Sequence, residues 1–170
     1  MEGKYKMVEL KKITLLSDNM EECIALDIAP EQKDFAYSNA IVLALAYDNE
    51  AKGRIAECRA IYADGKMVGL IAYNYYITPP VFKETCYRIR PFMVDKNHRG
   101  KGYEEAALQK LLEELQAKPH DEAAAIFATY DPEEEYFAKL YESAGFTKTD
   151  MGWEDEDPDD NDVIVRMNLS

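Results

Sequence analysis

The chain has 170 residues, 47% of them hydrophobic, and a formal net charge of −13 at pH 7. This size and composition favour a single domain over residues 1–170 and exclude a disordered chain, and the acidic balance disfavours nucleic acid as a partner. The sequence has no apolar run near the ~20 residues of a membrane span, no signal peptide and only 3 scattered cysteines, so we expect a cytoplasmic protein without a metal centre.

Alternating and helical patterns divide the first part of the chain. Residues 7–13 alternate between apolar and polar side chains and predict a first strand. Residues 23–26 predict a short amphipathic helix that Pro30 terminates. A second helix is predicted from about Lys33 to Tyr47. Its buried face is predicted to consist of Tyr37, Ile41, Ala44 and Leu45.

The hydrophobic period becomes that of β-strands after Glu57. Two apolar runs, residues 58–63 and 67–77, flank Asp64-Gly65, and this pattern predicts a β-hairpin. A third strand is predicted over Thr85–Val94. It contains Pro91, which cannot donate to a ladder, so we expect a β-bulge or an edge there. A bulge leaves neighbouring backbone groups open to bind something else.

Helices and strands alternate again in the last part of the chain. Residues 102–118 give the clearest helical pattern, with a stripe of leucines and alanines on one side. Residues 122–129 predict a buried strand, and the run Asp131–Glu135 is predicted to open a final helix. Residues 146–153 and 163–169 predict a closing hairpin. The whole order predicts an α+β fold.

Much of the negative charge lies in one segment, Glu154–Asp162, between the last two predicted strands. A solvated loop is the simplest interpretation of such a run. The alternatives are a substrate or metal site, or a surface through which the chain binds a partner.

A short polar loop, Arg99-Gly100-Lys101-Gly102, separates the third predicted strand from the clearest helix. The backbone N–H groups at a helix start have no partner within the chain and lie at the positive end of the helix dipole, and glycines let a ligand approach them. Arg99 and Lys101 add positive charge to an otherwise acidic chain. The pattern predicts an anion site, usually one for phosphate; the alternative is an ordinary tight turn before a helix.

Two segments resemble the GCN5-related N-acetyltransferase (GNAT) superfamily. Arg99–Tyr103 resembles the family's pyrophosphate loop, which reads Arg or Gln, two residues, Gly, one residue, then Gly or Ala; Glu104 stands where Gly or Ala is usual. Leu140–Phe146 resembles the family's Leu-Tyr-x-x-x-Gly-Phe segment. The element order is similar to the family's from end to end. A narrower likeness, to bacterial diamine and spermidine N-acetyltransferases, rests on Asn39-Ala40 and Ala44–Tyr47 in the second helix, Phe92–Asp95, and Gly100–Tyr103.

The resemblance implies a mixed, mostly antiparallel sheet of about seven strands with a bulged fourth strand, flanked by about four helices. It also implies an enzyme that transfers an acetyl group from acetyl-CoA to the primary amine of a small molecule, with a polyamine or diamine as the leading acceptor. Amino acids, aminoglycosides and protein N-termini are the alternatives. Many family members form homodimers through their last strands, so a homodimer is an open expectation.

The residues implied to hold the cofactor fall into two groups. The pantetheine arm would pair with Phe92, Met93 and Val94. The pyrophosphate would be bound by Arg99, Gly100, Lys101, Gly102, Tyr103 and Glu104. If Glu104 points outward it costs little, whereas an inward carboxylate would repel the pyrophosphate. Glu135 also departs from the family, which commonly has Asn there. A non-catalytic module that binds coenzyme A as a sensor is therefore the alternative function.

Tyr141 matches the family tyrosine that faces the coenzyme sulfur, where a phenol can donate a proton to a departing thiolate. The base that deprotonates the amine is left open among Glu84, Glu57, Asp131 and Glu31. Glu31 and Glu84 are also the candidates for substrate binding.

Overall fold

The computed structural model describes residues 8–14, 19–30, 38–90, 92–152 and 161–170. Several sequence-based predictions lie outside these residues: the substrate role of Glu31, the position of Pro91, the start of the second helix before Ser38, and most of the acidic loop. No helix among the described residues is long and apolar enough to cross a bilayer.

Twelve elements follow one another in the described part of the chain. They are β1 Glu9–Lys12, α1 Asn19–Ala25, α2 Asn39–Ala51, β2 Ile55–Ala63, β3 Lys66–Tyr76, β4 Cys86–Ile89, β5 Met93–Val94, α3 Tyr103–Gln116, β6 Ala125–Tyr130, α4 Glu135–Ser143, β7 Thr147–Lys148 and β8 Val163–Asn168.

The strands form one mixed sheet in the order β1-β2-β3-β4-β6-β8-β7, and β5 pairs with β3. Neighbouring strands are antiparallel except β4 and β6, which are parallel. The predicted α+β class, the four helices and the mostly antiparallel sheet are confirmed. The predicted hairpin is also confirmed, because Asp64 and Gly65 turn the chain between β2 and β3 with φ angles of 51° and 75°.

The predicted third strand is not continuous: it is divided into β4 and β5. Ile89 pairs with Tyr73 and Met93 pairs with Leu70, so the β4–β5 side has one residue more than β3 between these two pairs. One extra residue on one strand defines a β-bulge, so the expected bulge is confirmed.

Helices cover both faces of the sheet. The leucine stripe of α3 is buried as predicted and packs, together with α4, on one face. On the other face, α1 and α2 cover β2, β3 and β5. Phe82 packs there against the buried side chains of β4, β6 and β8, which are Cys86, Ala125, Phe127 and Ile164.

The predicted buried face of α2 is wrong. Ile41 and Leu45 are 46% and 38% exposed, whereas Asn39 and Val42 are buried. Apolar residues lie on nearly every side of this helix, so periodicity alone did not identify the side that packs. The helix also continues to Ala51, beyond the predicted end at Tyr47, because nothing in residues 48–51 breaks it.

Several other boundaries differ from the prediction: for example, β7 covers only Thr147–Lys148 of the predicted 146–153, and β2 begins at Ile55, before the predicted start at residue 58. Helix α4 begins at Glu135 and not at Asp131, because the Asp131 carboxylate and carbonyl accept the N–H groups of Glu133 and Glu134 at 2.8 and 2.9 Å and close a turn instead. Strand β6 begins at Ala125, three residues after the predicted start.

Candidate functional site

The sheet opens between β4 and β6. These parallel strands pair only over Cys86–Arg88 and Ala125–Phe127. Beyond that point β5 stays with β3, and β6 continues along β8 as far as Tyr130. The two sides therefore diverge and leave a cleft, called here the strand cleft, between β5 and the last residues of β6. Backbone groups that face this cleft are not committed to the sheet.

The orientation of β5 decides which backbone groups face the strand cleft. The Asp95 N–H donates to Val68 O at 2.7 Å, and Leu70 and Met93 form the next pair along. Because an antiparallel ladder alternates, the N–H and C=O of Met93 point to β3, whereas those of Val94 point away from it. Among the three residues predicted to meet the pantetheine arm, we therefore expect Val94 and Phe92 to offer backbone groups.

The loop Arg99–Gly102, called here the glycine loop, lies at the mouth of the strand cleft, directly before α3. Gly100 and Gly102 have φ angles of 74° and 81°, which side-chain-bearing residues rarely adopt. Gly102 is the N-cap of α3 and offers no side-chain cap to the first helical N–H groups. A Cβ at Gly100 would meet nothing within 4 Å, so the loop is open to a ligand.

A buried carboxylate anchors this loop to the chain after α1. Asp95 accepts hydrogen bonds from the N–H groups of Asp27 and Asn97, each at 2.9 Å. Burial opposes ionisation of Asp95, but these hydrogen bonds outweigh it and lower its pKa. The anchor fixes the loop before α3 in one position, which preorganises its backbone groups.

Glu104 points inward. Its residue is 4% exposed, its Oε1 lies 3.8 Å from Nε of Arg99, and its Oε2 has no hydrogen-bond partner among the described residues. Burial, reinforced by the charge of Glu105, raises the pKa of Glu104. The carboxylate therefore does not point outward into solvent, the orientation in which it would cost cofactor binding little. Glu135, the other departure, is exposed and lies 4.0 Å from Lys139.

Tyr141 lies deep in the wall of the strand cleft that α4 provides. It is 2% exposed and packs against the rings of Phe146 and Phe137, with centroid distances of 5.3 and 6.2 Å. Burial raises the pKa of Tyr141, and the charge of Glu134 raises it further. The phenol therefore keeps its proton at neutral pH, as a general acid must before it reacts.

Glu134 is a candidate residue that the sequence analysis did not select. It precedes α4, and its charge acts on Tyr141. Burial and the charge of Asp131 raise the pKa of Glu134 to about 7. A carboxylate with such a pKa exchanges protons near neutral pH, which suits a general base. The sequence feature that points to Glu134 is a run of carboxylates directly after a buried strand, but the sequence does not show which of these carboxylates is buried.

The other predicted carboxylates are engaged elsewhere. Glu84 accepts two hydrogen bonds from Arg166, at 2.8 and 3.1 Å. Glu57 accepts a hydrogen bond from the Arg59 guanidinium, and this bond, with the charges of Arg59 and Lys12, overcomes the effect of burial and lowers the pKa of Glu57. Among the described residues, no group of three or more His, Cys, Asp or Glu side chains is placed to hold a metal ion.

The residues of the site fit a coenzyme A molecule in most respects. The strand cleft offers open backbone groups, and the loop offers helix N–H groups with Arg99 and Lys101 beside them. Glu104 is the discordant residue, because it adds a buried carboxylate with an unpartnered oxygen to the first turn of the helix that would receive the pyrophosphate.

Comparisons with known proteins agree with this geometry. Residues 20–146 match the family model for the acetyltransferase (GNAT) family. A search of curated protein sequences gives no match. Among solved structures, the chain is similar to an aminoglycoside acetyltransferase in complex with coenzyme A, with a TM-score of 0.73, 16% identity and 95% of each chain covered.

Two further structures show the same fold. A ribosomal-protein alanine N-acetyltransferase from Escherichia coli has a TM-score of 0.66 at 15% identity, with 96% of this chain and 95% of that chain covered. A GNAT acetyltransferase from Bacillus cereus has a TM-score of 0.61 at 18% identity, with 96% and 99% covered. Because the family model spans most of the chain and the fold agrees, the protein belongs to the acetyltransferase (GNAT) family.

Proposed function

We propose that this chain transfers an acetyl group from acetyl-CoA to the primary amine of a small molecule, by direct attack in a ternary complex. The observation that carries the proposal is the strand cleft, with the glycine loop at its mouth and Tyr141 in its wall. Bound acetyl-CoA would supply the activated acetyl group as a thioester. The remaining chemistry belongs to the side chains and backbone of the chain.

The chain would bind the cofactor through two sets of backbone groups. The N–H groups at the start of α3 would receive the pyrophosphate, and Arg99 and Lys101 would contribute charge. Val94, whose N–H and C=O point away from β3, would pair with the pantetheine arm and polarise the acetyl carbonyl.

Two side chains would handle the protons. Glu134, with its pKa raised to about 7, would accept a proton from the ammonium group of the acceptor, directly or through a water molecule, and so free the amine lone pair to attack the thioester carbonyl. Tyr141, whose buried phenol keeps its proton, would deliver one to the departing sulfur. The charge of Glu134 raises the pKa of Tyr141, so the two groups lie close enough to interact electrostatically.

The test of this mechanism is a thiol-release assay on Tyr141→Phe. The variant keeps the buried ring but lacks the proton, so the turnover rate should fall roughly 10²-fold or more with unchanged cofactor affinity. Tyr47→Phe is the matched control, because Tyr47 is 76% exposed on α2, and it should behave as the parent protein. Full turnover by Tyr141→Phe would remove Tyr141 from the mechanism.

The acceptor stays a prediction. The likeness to the diamine and spermidine branch favours a polyamine, so spermidine, spermine and putrescine belong in the first assay beside amino acids and aminoglycosides. Acetyl transfer to one class of amine and not to the others would identify the acceptor class.

A non-catalytic coenzyme A sensor is the second candidate, because the buried carboxylate of Glu104 departs from the usual pyrophosphate loop of the enzymes that the chain resembles. A buried negative charge beside the pyrophosphate loop weakens cofactor binding in the ground state. Calorimetric binding of acetyl-CoA without thiol release on any amine would support the sensor, and amine-dependent thiol release would exclude it.

A further inference from the structure

We propose that a basic cavity on the sheet face opposite α3 binds a carboxylate group of the acceptor, so that the preferred substrate is an amine that also carries a carboxylate. This inference rests on the proposed function, since it assigns the acceptor class of the same site. It departs from the polyamine expected from the sequence.

The cavity lies between the start of β2, the end of β3 and the loop of residues 77–82. Its volume is about 510 Å³, within the range of small-molecule sites. The wall is formed mainly by backbone and by apolar or aromatic side chains, among them Tyr76, Val81 and Phe82.

The described residues that line the cavity carry a net positive charge, in a chain whose net charge is −13. Among the described residues that line it, Arg54 and Arg88 are the charged ones, and no carboxylate is present. Within the part of the chain that the structure describes, no carboxylate forms an ion pair with Arg54. Two arginines that line one cavity favour a carboxylate ligand, because a guanidinium matches the geometry of a carboxylate with two donors.

Arg88 connects the cavity to the strand cleft. It forms the last parallel pair, with Phe127, before β4 and β6 diverge. Its Nη2 donates to Oγ1 of Thr129, at 3.4 Å, across the opening, and its charge acts on Tyr141. An acceptor whose carboxylate lies in the cavity would therefore present its amine towards the strand cleft.

A third arginine lies next to the cavity. Arg90 follows Arg88 by two residues and lies directly after β4, where its N–H still donates to Ala72 O of β3 at 2.7 Å. The two side chains therefore leave the sheet on the same face, about 7 Å apart. Arg90 lines the adjoining small cleft together with Asn74 and Glu57, so a carboxylate balances its charge there. A polyamine in the larger cavity would meet the like charges of Arg54 and Arg88, which disfavours it.

A purely structural role for these arginines is the competing explanation. The Arg88 guanidinium lies 5.9 Å from the centre of the Phe82 ring, a contact that would hold the 77–82 loop whether or not a ligand binds. Arg54 is exposed, so its replacement tests recognition without disturbing the core.

The experiment compares two pairs of amines that differ by one carboxylate: L-ornithine with putrescine, and L-lysine with cadaverine. Thiol release is measured at saturating acetyl-CoA. We expect kcat/KM to favour each amino acid roughly tenfold or more, the range of one charge-assisted contact. In Arg54→Gln the KM for the amino acids should rise and the preference should shrink, whereas Lys110→Gln, an exposed change on α3, should leave it intact.

Equal or better turnover of the diamines would overturn this inference while the proposed function stands, as would an unchanged preference in Arg54→Gln. If no amine releases thiol, the proposed function fails, and the cavity is tested alone by calorimetric titration with L-ornithine. Binding that weakens in Arg54→Gln would then support the cavity as a carboxylate site, and no binding would overturn it.

Discussion

Glu104 combines burial, a negative charge and a place at the start of α3. Replacing it with alanine removes an unpartnered buried oxygen beside the loop that we expect to hold pyrophosphate. Glu104→Ala should therefore bind coenzyme A roughly tenfold more tightly, because about 1–2 kcal/mol of repulsion disappears. Calorimetric titration measures this change.

Glu113→Ala is the matched control for that measurement. It removes the same charge from an exposed site further along α3, and it should leave coenzyme A affinity within about twofold. Equal or weaker binding by Glu104→Ala would show that the carboxylate does not oppose the cofactor.

The raised pKa of Glu134 predicts how the stability of the fold depends on pH. The Glu134 carboxyl would lose its proton near pH 4.5 in the unfolded chain, but burial and Asp131 hold its folded pKa at about 7. The unfolded state therefore ionises first, and the free energy of unfolding falls as pH rises between these values. Above pH 7 the loss is complete. Glu134→Gln should then be about 1 kcal/mol more stable than the parent at pH 8, after allowance for solvent screening, and similar to it at pH 4.

Chemical denaturation at the two pH values tests this expectation, with Glu133→Gln as the exposed neighbour for comparison. An equal increment for Glu134→Gln at pH 4 and pH 8 would contradict it.

At the residue scale, local patterns predicted some positions and not others. The glycine loop and Tyr141 could be selected as candidates from the sequence because each lies in a short segment with a fixed spacing, and their roles stay predictions. Glu134 was not, since it is one carboxylate in a run of similar ones and only the fold buries it. The inward side chain of Glu104 was likewise left open, because the sequence does not set the direction of a side chain at a helix start.

At the scale of elements, a substitution at Gly69 tests how β5 packs against β3. This glycine lies opposite Val94 where β5 crosses β3, and a Cβ there would overlap the carbonyl oxygen of Met93. Gly69→Ala should push β5 away from β3 and cost about 1–3 kcal/mol of unfolding free energy. It should also weaken coenzyme A binding, because the displaced strand carries Val94. Chemical denaturation and calorimetry measure the two effects, and parent-like values in both would show that β5 is not held as described.

The elements themselves were largely predictable. The hairpin between β2 and β3 follows from Asp64-Gly65, whose backbone conformation few other pairs adopt. Helix α3 follows from its leucine stripe. The face of α2 did not follow, since its packing depends on β2 and β3 and not on its own periodicity.

At the scale of the whole molecule, the order of elements carried the most information. It indicated the α+β class and, with two motifs, the family. The strand cleft needed the structure, because it depends on where the parallel pairing of β4 and β6 stops. The basic cavity also needed it, since Arg54 and Arg88 are 34 residues apart in the sequence and meet only in the fold.

Assembly through the last strands and a partner for the acidic segment stay predictions. Sedimentation of the full chain tests the first. Deletion of residues 154–162 tests the second: it should leave coenzyme A binding intact, since no cofactor contact is assigned to that segment, and loss of such binding would give the segment a direct role.

The measurement that tests the central claim most directly is amine-dependent release of thiol from acetyl-CoA. We expect release that requires both the protein and a small primary amine, and that falls roughly 10²-fold or more in Tyr141→Phe. No release with any amine from a protein that binds acetyl-CoA would contradict the claim that the strand cleft is a catalytic site.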